Sequence, residues 1–148
     1  MRLMAVMAHP DDAEIWCGGT LILHTEKGDA VRVCTLSYLG ESTRGREAQQ
    51  GANHMGCEVE SLGLEDTAIR DADEVVDKLR RSIDSFRPDT IITHWSDDMH
   101  PDHETTSLLL RRSLLRGFVA HSWEEAQSLP RIFCCDTYNS LGLRGPFK

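Results

Sequence analysis

At 148 residues the chain has the length of one domain, and it is long enough to bury a core without disulfide or metal cross-links. Its formal net charge of -8 argues against nucleic acid or an anionic membrane surface as the main partner, since both prefer a basic face. No apolar run approaches the roughly 20 residues of a membrane span. The five cysteines lack the paired spacing of a disulfide or structural zinc framework, which predicts reduced thiols in a cytoplasmic protein.

Predicted strands and helices alternate along the chain. Apolar and β-branched runs predict five strands, at residues 2–8, 30–36, 57–62, 90–95 and 131–136. Helical periodicity and stop signals predict four helices, at residues 15–27, 46–55, 71–86 and 104–115. The segment 112–130 fits either a continued helix and a loop or two short helices. The alternation predicts an α/β domain with a mostly parallel sheet that helices cover on both faces.

Three polar segments follow predicted strands. His9-Pro10-Asp11-Asp12 follows the first strand, and a glycine-bearing loop at residues 37–45 follows the second. A cluster rich in histidine and aspartate follows the strand at 90–95, and it contains His94, Asp97, Asp98, His100, Asp102 and His103. Because the carboxyl ends of parallel strands lie at one edge of the sheet, we expect these distant segments to line a single pocket.

The residue types in these segments suit a catalytic metal. Zinc in a catalytic site takes three protein ligands and keeps one position for water. His9 and Asp12, three residues apart across a turn, can reach one ion together, and His103 supplies the third ligand. The same set also suits ferrous iron, cobalt or manganese, so the sequence predicts a divalent metal, with zinc preferred.

The remaining polar residues fit supporting roles in hydrolysis. Asp11, next to a ligand but pointing elsewhere, is placed to be the general base for the water that the metal activates. His100 is placed to donate a proton to a leaving amine or to steady an oxyanion. Asp98 and Asp102 are predicted to orient the ligand imidazoles. Together these roles predict a hydrolase that attacks an amide or ester carbonyl.

Simpler interpretations exist for each motif taken alone. Most His-Pro-Asp triplets are turns in which the aspartate caps the next helix, and Asp102 fits that role as well. His94 fits packing at a strand end slightly better than a role in the site. Nucleotide binding is disfavoured, because no Gly-x-Gly-x-x-Gly follows the first strand. The two clusters together, both at strand ends and both with histidine and carboxylate, favour the metal site.

The motifs themselves form a recognisable set. Residues 8–14 read AHPDDAE and residues 17–20 read CGGT. Residues 40–48 read GESTRGREA, with an Arg-x-x-Glu pattern at Arg44 and Glu47, and residues 94–103 read HWSDDMHPDH. In this order and spacing, over about residues 2–110, the chain resembles the LmbE-like / PIG-L de-N-acetylase family.

The resemblance implies a Rossmann-like three-layer α/β/α fold and zinc-dependent removal of acetyl from an N-acetylglucosamine-type amino sugar or glycoside. Carried over by position, the metal ligands are His9, Asp12 and His103, which are also the ligands predicted from spacing. Asp11 is again the general base and His100 the general acid or oxyanion stabiliser. The resemblance alone adds two statements: the substrate is a small amino sugar, and Arg44 contacts it.

One departure from the family concerns length. Family members are longer and carry a further strand and helix, so residues 1–148 are expected to form a single domain that is short at its C-terminal end. An incomplete sheet edge would favour a homo-oligomer. Tyr138 and Asn139, after the last predicted strand, are further candidates for the pocket. The alternative function is a non-catalytic metal-binding relative in which the same ligands hold an ion without turnover.

Overall fold

The computed structural model describes residues 1–38, 40–120 and 129–135, and strands alternate with helices through all three parts. In chain order the elements are β1 (Arg2–Met7), α1 (Asp12–Glu26), β2 (Ala30–Ser37), α2 (Thr43–Met55), β3 (Glu58–Leu64), α3 (Asp73–Phe86), β4 (Thr90–Thr93), α4 (Pro101–Ala120) and β5 (Arg131–Cys134). For residues 112–130, the predicted alternative of a continued helix is correct as far as Ala120, where α4 ends. Tyr138 and Asn139 lie outside the described residues.

The five strands form one sheet in the order β3-β2-β1-β4-β5, and every neighbouring pair is parallel. This order matches the first five positions of the doubly wound 3-2-1-4-5-6 arrangement. The direction of strand addition reverses between β1 and β4. A crevice opens at such a switch point, outside the carboxyl ends of the two strands.

Two separate cores cover the two faces of the sheet, so the fold is the predicted three-layer α/β/α arrangement. Alternate residues of β1 point to opposite faces, which explains why the strand is apolar from Leu3 to Met7. Met4 and Val6 pack on the face that carries α3 and α4. On the other face, Leu3, Ala5 and Met7 pack against α1 and α2.

Three helices begin about three residues earlier than predicted. α1 starts at Asp12. α4 starts at Pro101, and proline suits the first position of a helix because its fixed φ is helical. α2 starts at Thr43, because the Ser42 Oγ accepts the backbone N–H of Gly45 at 2.9 Å and caps the first turn. Part of the predicted loop at 37–45 is therefore helical, and the polar motif residues sit on helix starts.

The strand ends differ from the predictions by smaller amounts. β4 ends at Thr93 rather than at 95, and β3 runs on to Leu64. β5 ends at Cys134, and the predicted last position, 136, is not among the described residues. Among the described residues, no helix is long and apolar enough to cross a membrane.

Candidate metal centre

The polar clusters that follow β1 and β4 meet at the switch point of the sheet. Asp12 is at the centre of this cluster, on the first turn of α1, and its carboxylate is almost fully buried. The backbone N–H of His9 donates to Asp12 Oδ2 at 2.7 Å. Three imidazoles also surround the carboxylate: Nδ1 of His9 at 3.3 Å, Nε2 of His94 at 3.2 Å and Nε2 of His103 at 3.4 Å.

The electrostatics of the cluster favour cations. Burial alone would raise the pKa of Asp12, but the close imidazoles of His103, His9 and His94 outweigh burial and hold that pKa far below its usual range. Burial opposes the charged form of His9, yet hydrogen bonds and charge from Asp12, then Asp102 and Asp66, raise its pKa to about 9. A permanently ionised carboxylate beside an imidazole that holds a proton is a place where a metal ion can replace that proton.

The predicted ligand set converges. Ligand atoms of His9, Asp12 and His103 all lie within 4.8 Å of one another, and all three residues are buried. Two imidazoles and one carboxylate form a donor set that suits zinc and neighbouring divalent metals. Two overlapping groups meet the same distance criterion within the described residues: His9 with His100 and Asp102, and His94 with Asp98 and His103. The residues present therefore fit a divalent cation.

Two carboxylates contact the outer nitrogens of the predicted ligands, as expected of orienting groups. Asp98 Oδ2 lies 3.2 Å from His103 Nδ1, on the far side of the ring from Asp12. Asp102 Oδ2 lies 3.2 Å from His9 Nε2, although the two residues are 93 positions apart in sequence. Each contact fixes the orientation of one ring, and so determines which of its nitrogens faces the centre.

His100 lies at the partly exposed side of the cluster. Its ring stacks on His103 with the centroids 4.6 Å apart and stands edge-on to His9 at 4.9 Å. Its Nδ1 accepts the backbone N–H of Asp102 at 3.2 Å, so the neutral ring carries its proton on Nε2. Burial, followed by the charges of His103 and His9, lowers its pKa below the ordinary 6.5. His100 is therefore a neutral donor at pH 7.

Asp11 points away from Asp12, as predicted. It contacts Arg44, the residue that is expected to contact substrate. Its side chain is 48% exposed, and Oδ2 accepts a hydrogen bond from an Arg44 guanidinium nitrogen at 2.8 Å. Arg44 lies on the first turn of α2, and its other guanidinium nitrogen is 3.9 Å from Glu47. The structure thus brings Asp11, from the loop after β1, and Arg44, from the first turn of α2, into one ion pair.

Sequence reasoning missed or underrated three residues of the cluster. His94 is fully buried; it accepts the backbone N–H of Ala8 at 2.9 Å and stacks on His103 with the centroids 3.8 Å apart. The packing role predicted for His94 is therefore incomplete, because His94 Nε2 also lies 3.2 Å from Asp12 Oδ2. Asp66 Oδ1 is 3.1 Å from His9 Nε2, and Asp66 Oδ2 accepts the Tyr38 hydroxyl at 2.7 Å. Tyr38 and Asp66 follow the ends of β2 and β3, but a lone tyrosine or aspartate after a strand has no spacing pattern that would identify it.

Comparison with known proteins gives a family match over most of the chain. The family model described as PIG-L, GlcNAc-PI de-N-acetylase, matches residues 4–114. A 1D-myo-inositol 2-acetamido-2-deoxy-alpha-D-glucopyranoside deacetylase from Saccharopolyspora erythraea is 29% identical over 150 residues, covering 69% of this chain and 50% of that protein. The chain spans about half the length of the curated relatives that it matches.

Solved structures show the same fold. N,N'-diacetylchitobiose deacetylase from Pyrococcus horikoshii aligns with a TM-score of 0.76 at 22% identity, over 93% of this chain and 61% of that one. The 4-carboxy-2-hydroxymuconate hydratase of Pseudomonas putida aligns with a TM-score of 0.72 at 22% identity, over 88% of this chain and 61% of that one. Because a deacetylase and a hydratase share the architecture, the fold alone does not determine the reaction.

Proposed function

Since the chain belongs to the PIG-L family of GlcNAc-PI de-N-acetylases, we propose that it is a metal-dependent hydrolase that removes the acetyl group from an N-acetylglucosamine-type amino sugar or glycoside. The observation that carries the proposal is the convergence of His9 and Asp12, after β1, with His103 on α4, within 4.8 Å. The curated relative from Saccharopolyspora erythraea is a deacetylase of such a glycoside, which supports the same substrate class.

We assign the metal to His9, Asp12 and His103, and we propose zinc because its catalytic sites use three such ligands. When bound, a divalent ion there would polarise the amide carbonyl and make a water more acidic. Asp98 and Asp102 would hold the ligand rings in place through their contacts with His103 and His9. His94 stacks on His103 and lies close to Asp12, so it would limit the movement of both ligand side chains.

The chain's own residues supply the proton transfers. Asp11 would take a proton from the attacking water, whose oxygen bonds to the carbonyl carbon of the acetamide. Arg44 holds the Asp11 carboxylate in a fixed orientation through a hydrogen bond of 2.8 Å. As the C–N bond breaks, Asp11 would pass the proton taken from water to the nitrogen of the sugar, while the neutral His100 would donate a hydrogen bond from its Nε2 to the negative charge that develops on the carbonyl oxygen. The products are acetate and the free amino sugar.

The first test measures acetate and free amine released from an N-acetylglucosamine glycoside by the zinc-loaded chain, beside an Asp11→Asn variant. Asp11 is not among the proposed ligands, so the variant should keep its metal and lose turnover by roughly 10² to 10⁴, the usual contribution of a general base. Glu26→Gln, which removes an exposed carboxylate at the far end of α1, is the matched control and should match the parent.

Two results would contradict the proposal in different ways. If Asp11→Asn turned over at the parent rate, Asp11 would not be the base. If the metal-loaded parent released no acetate from any N-acetylated amino sugar, the hydrolase assignment would be wrong. The same ligands would then describe a non-catalytic metal-binding protein.

A further inference from the structure

Two residues on neighbouring loops hold backbone conformations that bulky side chains rarely adopt. Tyr38, directly after β2, has φ +62°, and Thr67, in the turn after β3, has φ +60°. Both values lie in the left-handed region, which is unfavourable for aromatic and β-branched residues. Among the described residues, the one other non-glycine residue with positive φ is Arg87, the C-cap of α3, where that conformation is common. Strain of this kind persists where the surrounding structure imposes it, and it concentrates at functional sites.

Contacts between the two loops impose the conformation of Tyr38. Its backbone N–H donates to the carbonyl of Leu64 at 3.0 Å, and its carbonyl accepts the hydroxyl of Ser61. Its side-chain hydroxyl donates to Asp66 Oδ2 at 2.7 Å, next to Thr67. The two strained residues therefore flank one hydrogen bond between the loops. Because a glycine would adopt the backbone conformation of Tyr38 without strain, what the tyrosine adds is its side chain.

The carboxylate that Tyr38 contacts also touches the metal centre. Asp66 Oδ1 lies 3.1 Å from Nε2 of His9, the ring nitrogen that Asp102 contacts at 3.2 Å. The side chain of Asp102 is 3% exposed, whereas that of Asp66 is 37% exposed and belongs to a turn. An exposed carboxylate on a turn can change rotamer. The phenol of Tyr38 therefore decides which carboxylate oxygen of Asp66 faces His9.

We propose that Tyr38 is a positioning residue of the metal site: its hydroxyl locks the Asp66 carboxylate against His9 and so holds that imidazole in the orientation that the ion requires. The inference rests on the metal assignment within the proposed function. Groups that orient a ligand from behind contribute about 10- to 100-fold to metal affinity or activity. The Arg44 guanidinium lies 6.0 Å from the centroid of the Tyr38 ring, so loss of the hydroxyl alone leaves that neighbour in place.

The test measures the dissociation constant for zinc, by competition with a chelator of known affinity, in the parent and in Tyr38→Phe. This variant keeps the ring and removes the hydroxyl, so it should bind zinc about tenfold more weakly or worse. Asp66→Ala should weaken binding to a similar extent. If Tyr38 acts through Asp66, Tyr38→Phe should have almost no further effect in the Asp66→Ala protein, as a double-mutant cycle of a coupled pair shows.

Two comparisons separate this role from general stability. Thr25→Val removes another side-chain hydroxyl, which donates to the Met55 carbonyl at 2.7 Å away from the cluster, and it should keep the zinc affinity of the parent. Tyr38→Gly and Tyr38→Ala both lack the phenol, so both should bind zinc weakly. Of these two, the glycine variant should unfold at the higher urea concentration, because φ +62° suits glycine.

The outcomes distinguish this inference from the proposed function. A Tyr38→Phe protein that binds zinc as tightly as the parent, or an equal effect of Tyr38→Phe with and without Asp66, would overturn the inference and leave the hydrolase assignment intact. A parent that binds zinc but releases no acetate would overturn the proposed function, and the zinc affinities would still decide the role of Tyr38. A parent that binds no zinc would overturn both.

Discussion

Asp12 is the residue on which the site depends most, because a buried carboxylate is costly unless cations or donors surround it. Here His9, His94 and His103 contact it together with the backbone N–H of His9. In the metal-free protein the positive charge comes from a proton on His9, whose pKa is raised from 6.5 to about 9. A bound metal would supply that charge instead.

This exchange predicts the pH dependence of metal binding. At pH 7.5 His9 holds a proton that a ligand imidazole must lose, so binding of zinc should release about one proton from His9. The apparent affinity should rise with pH until about pH 9 and then level off. Calorimetric titrations in two buffers with different ionisation enthalpies measure the number of protons directly. The same experiment at pH 10 is the control and should show no release from His9.

The sign of the effect on stability follows from the direction of the shift. Because the folded-state pKa of His9 is raised, its protonation stabilises the metal-free fold fully below about 6.5, and this contribution is lost as the pH rises through about 9. Release of no proton at pH 7.5, or an affinity that falls between pH 6.5 and 9, would contradict the assignment of His9 as a ligand.

At the level of residues, ligand spacing made part of the site predictable. His9, Asp12 and His103 follow recognisable spacings next to strand ends, so the amino-acid sequence alone predicted that these three residues come together. Asp66 and Tyr38 are harder to identify in this way, since a lone aspartate or tyrosine after a strand carries no pattern. Their roles arise from the contact between the β2 and β3 loops, which is tertiary.

At the level of elements, the helix starts explain both the success and the errors of the predictions. Apolar periodicity identified α1 and α4 correctly, but each begins about three residues before its periodic pattern. The first turns carry Asp12 and His103, which face the site, and Ala13 is the one residue of these two turns that belongs to the core. A polar residue that faces a cluster at a helix start interrupts the apolar periodicity by which the start is found.

The cap of α2 offers a test at this level. Ser42→Ala removes the acceptor for the Gly45 N–H and should lower the free energy of unfolding by about 1 kcal/mol. Because Arg44 lies in that first turn, the variant should also loosen the Arg44–Asp11 pair and reduce turnover several-fold. Urea unfolding and acetate release measure the two effects.

Ser42→Asp restores a capping acceptor and is the matched control, so it should unfold close to the parent. A Ser42→Ala protein as stable as the parent would show that the cap does not set the start of α2.

For the whole molecule, the strand order decides where the site is. The alternation of elements predicts a parallel sheet, but the sequence does not state which face each helix crosses, so the order β3-β2-β1-β4-β5 was not predictable. In this order β1 and β4 are neighbours, with α1 and α4 on opposite faces of the sheet. The carboxyl ends of β1 and β4 therefore meet. The segments that immediately precede and follow residues 13–93 in the sequence form one cluster there.

The most direct test of this convergence is the metal content of the purified chain. After incubation with zinc and removal of the excess, elemental analysis should find about one equivalent in the parent, as one three-ligand site requires. A His9→Ala, His103→Ala double variant, which removes one ligand from each segment, should retain almost none. A His24→Ala, His54→Ala double variant, altered outside the cluster, should match the parent. A parent without metal after reconstitution, or a His9→Ala, His103→Ala protein that still holds a full equivalent, would contradict the account.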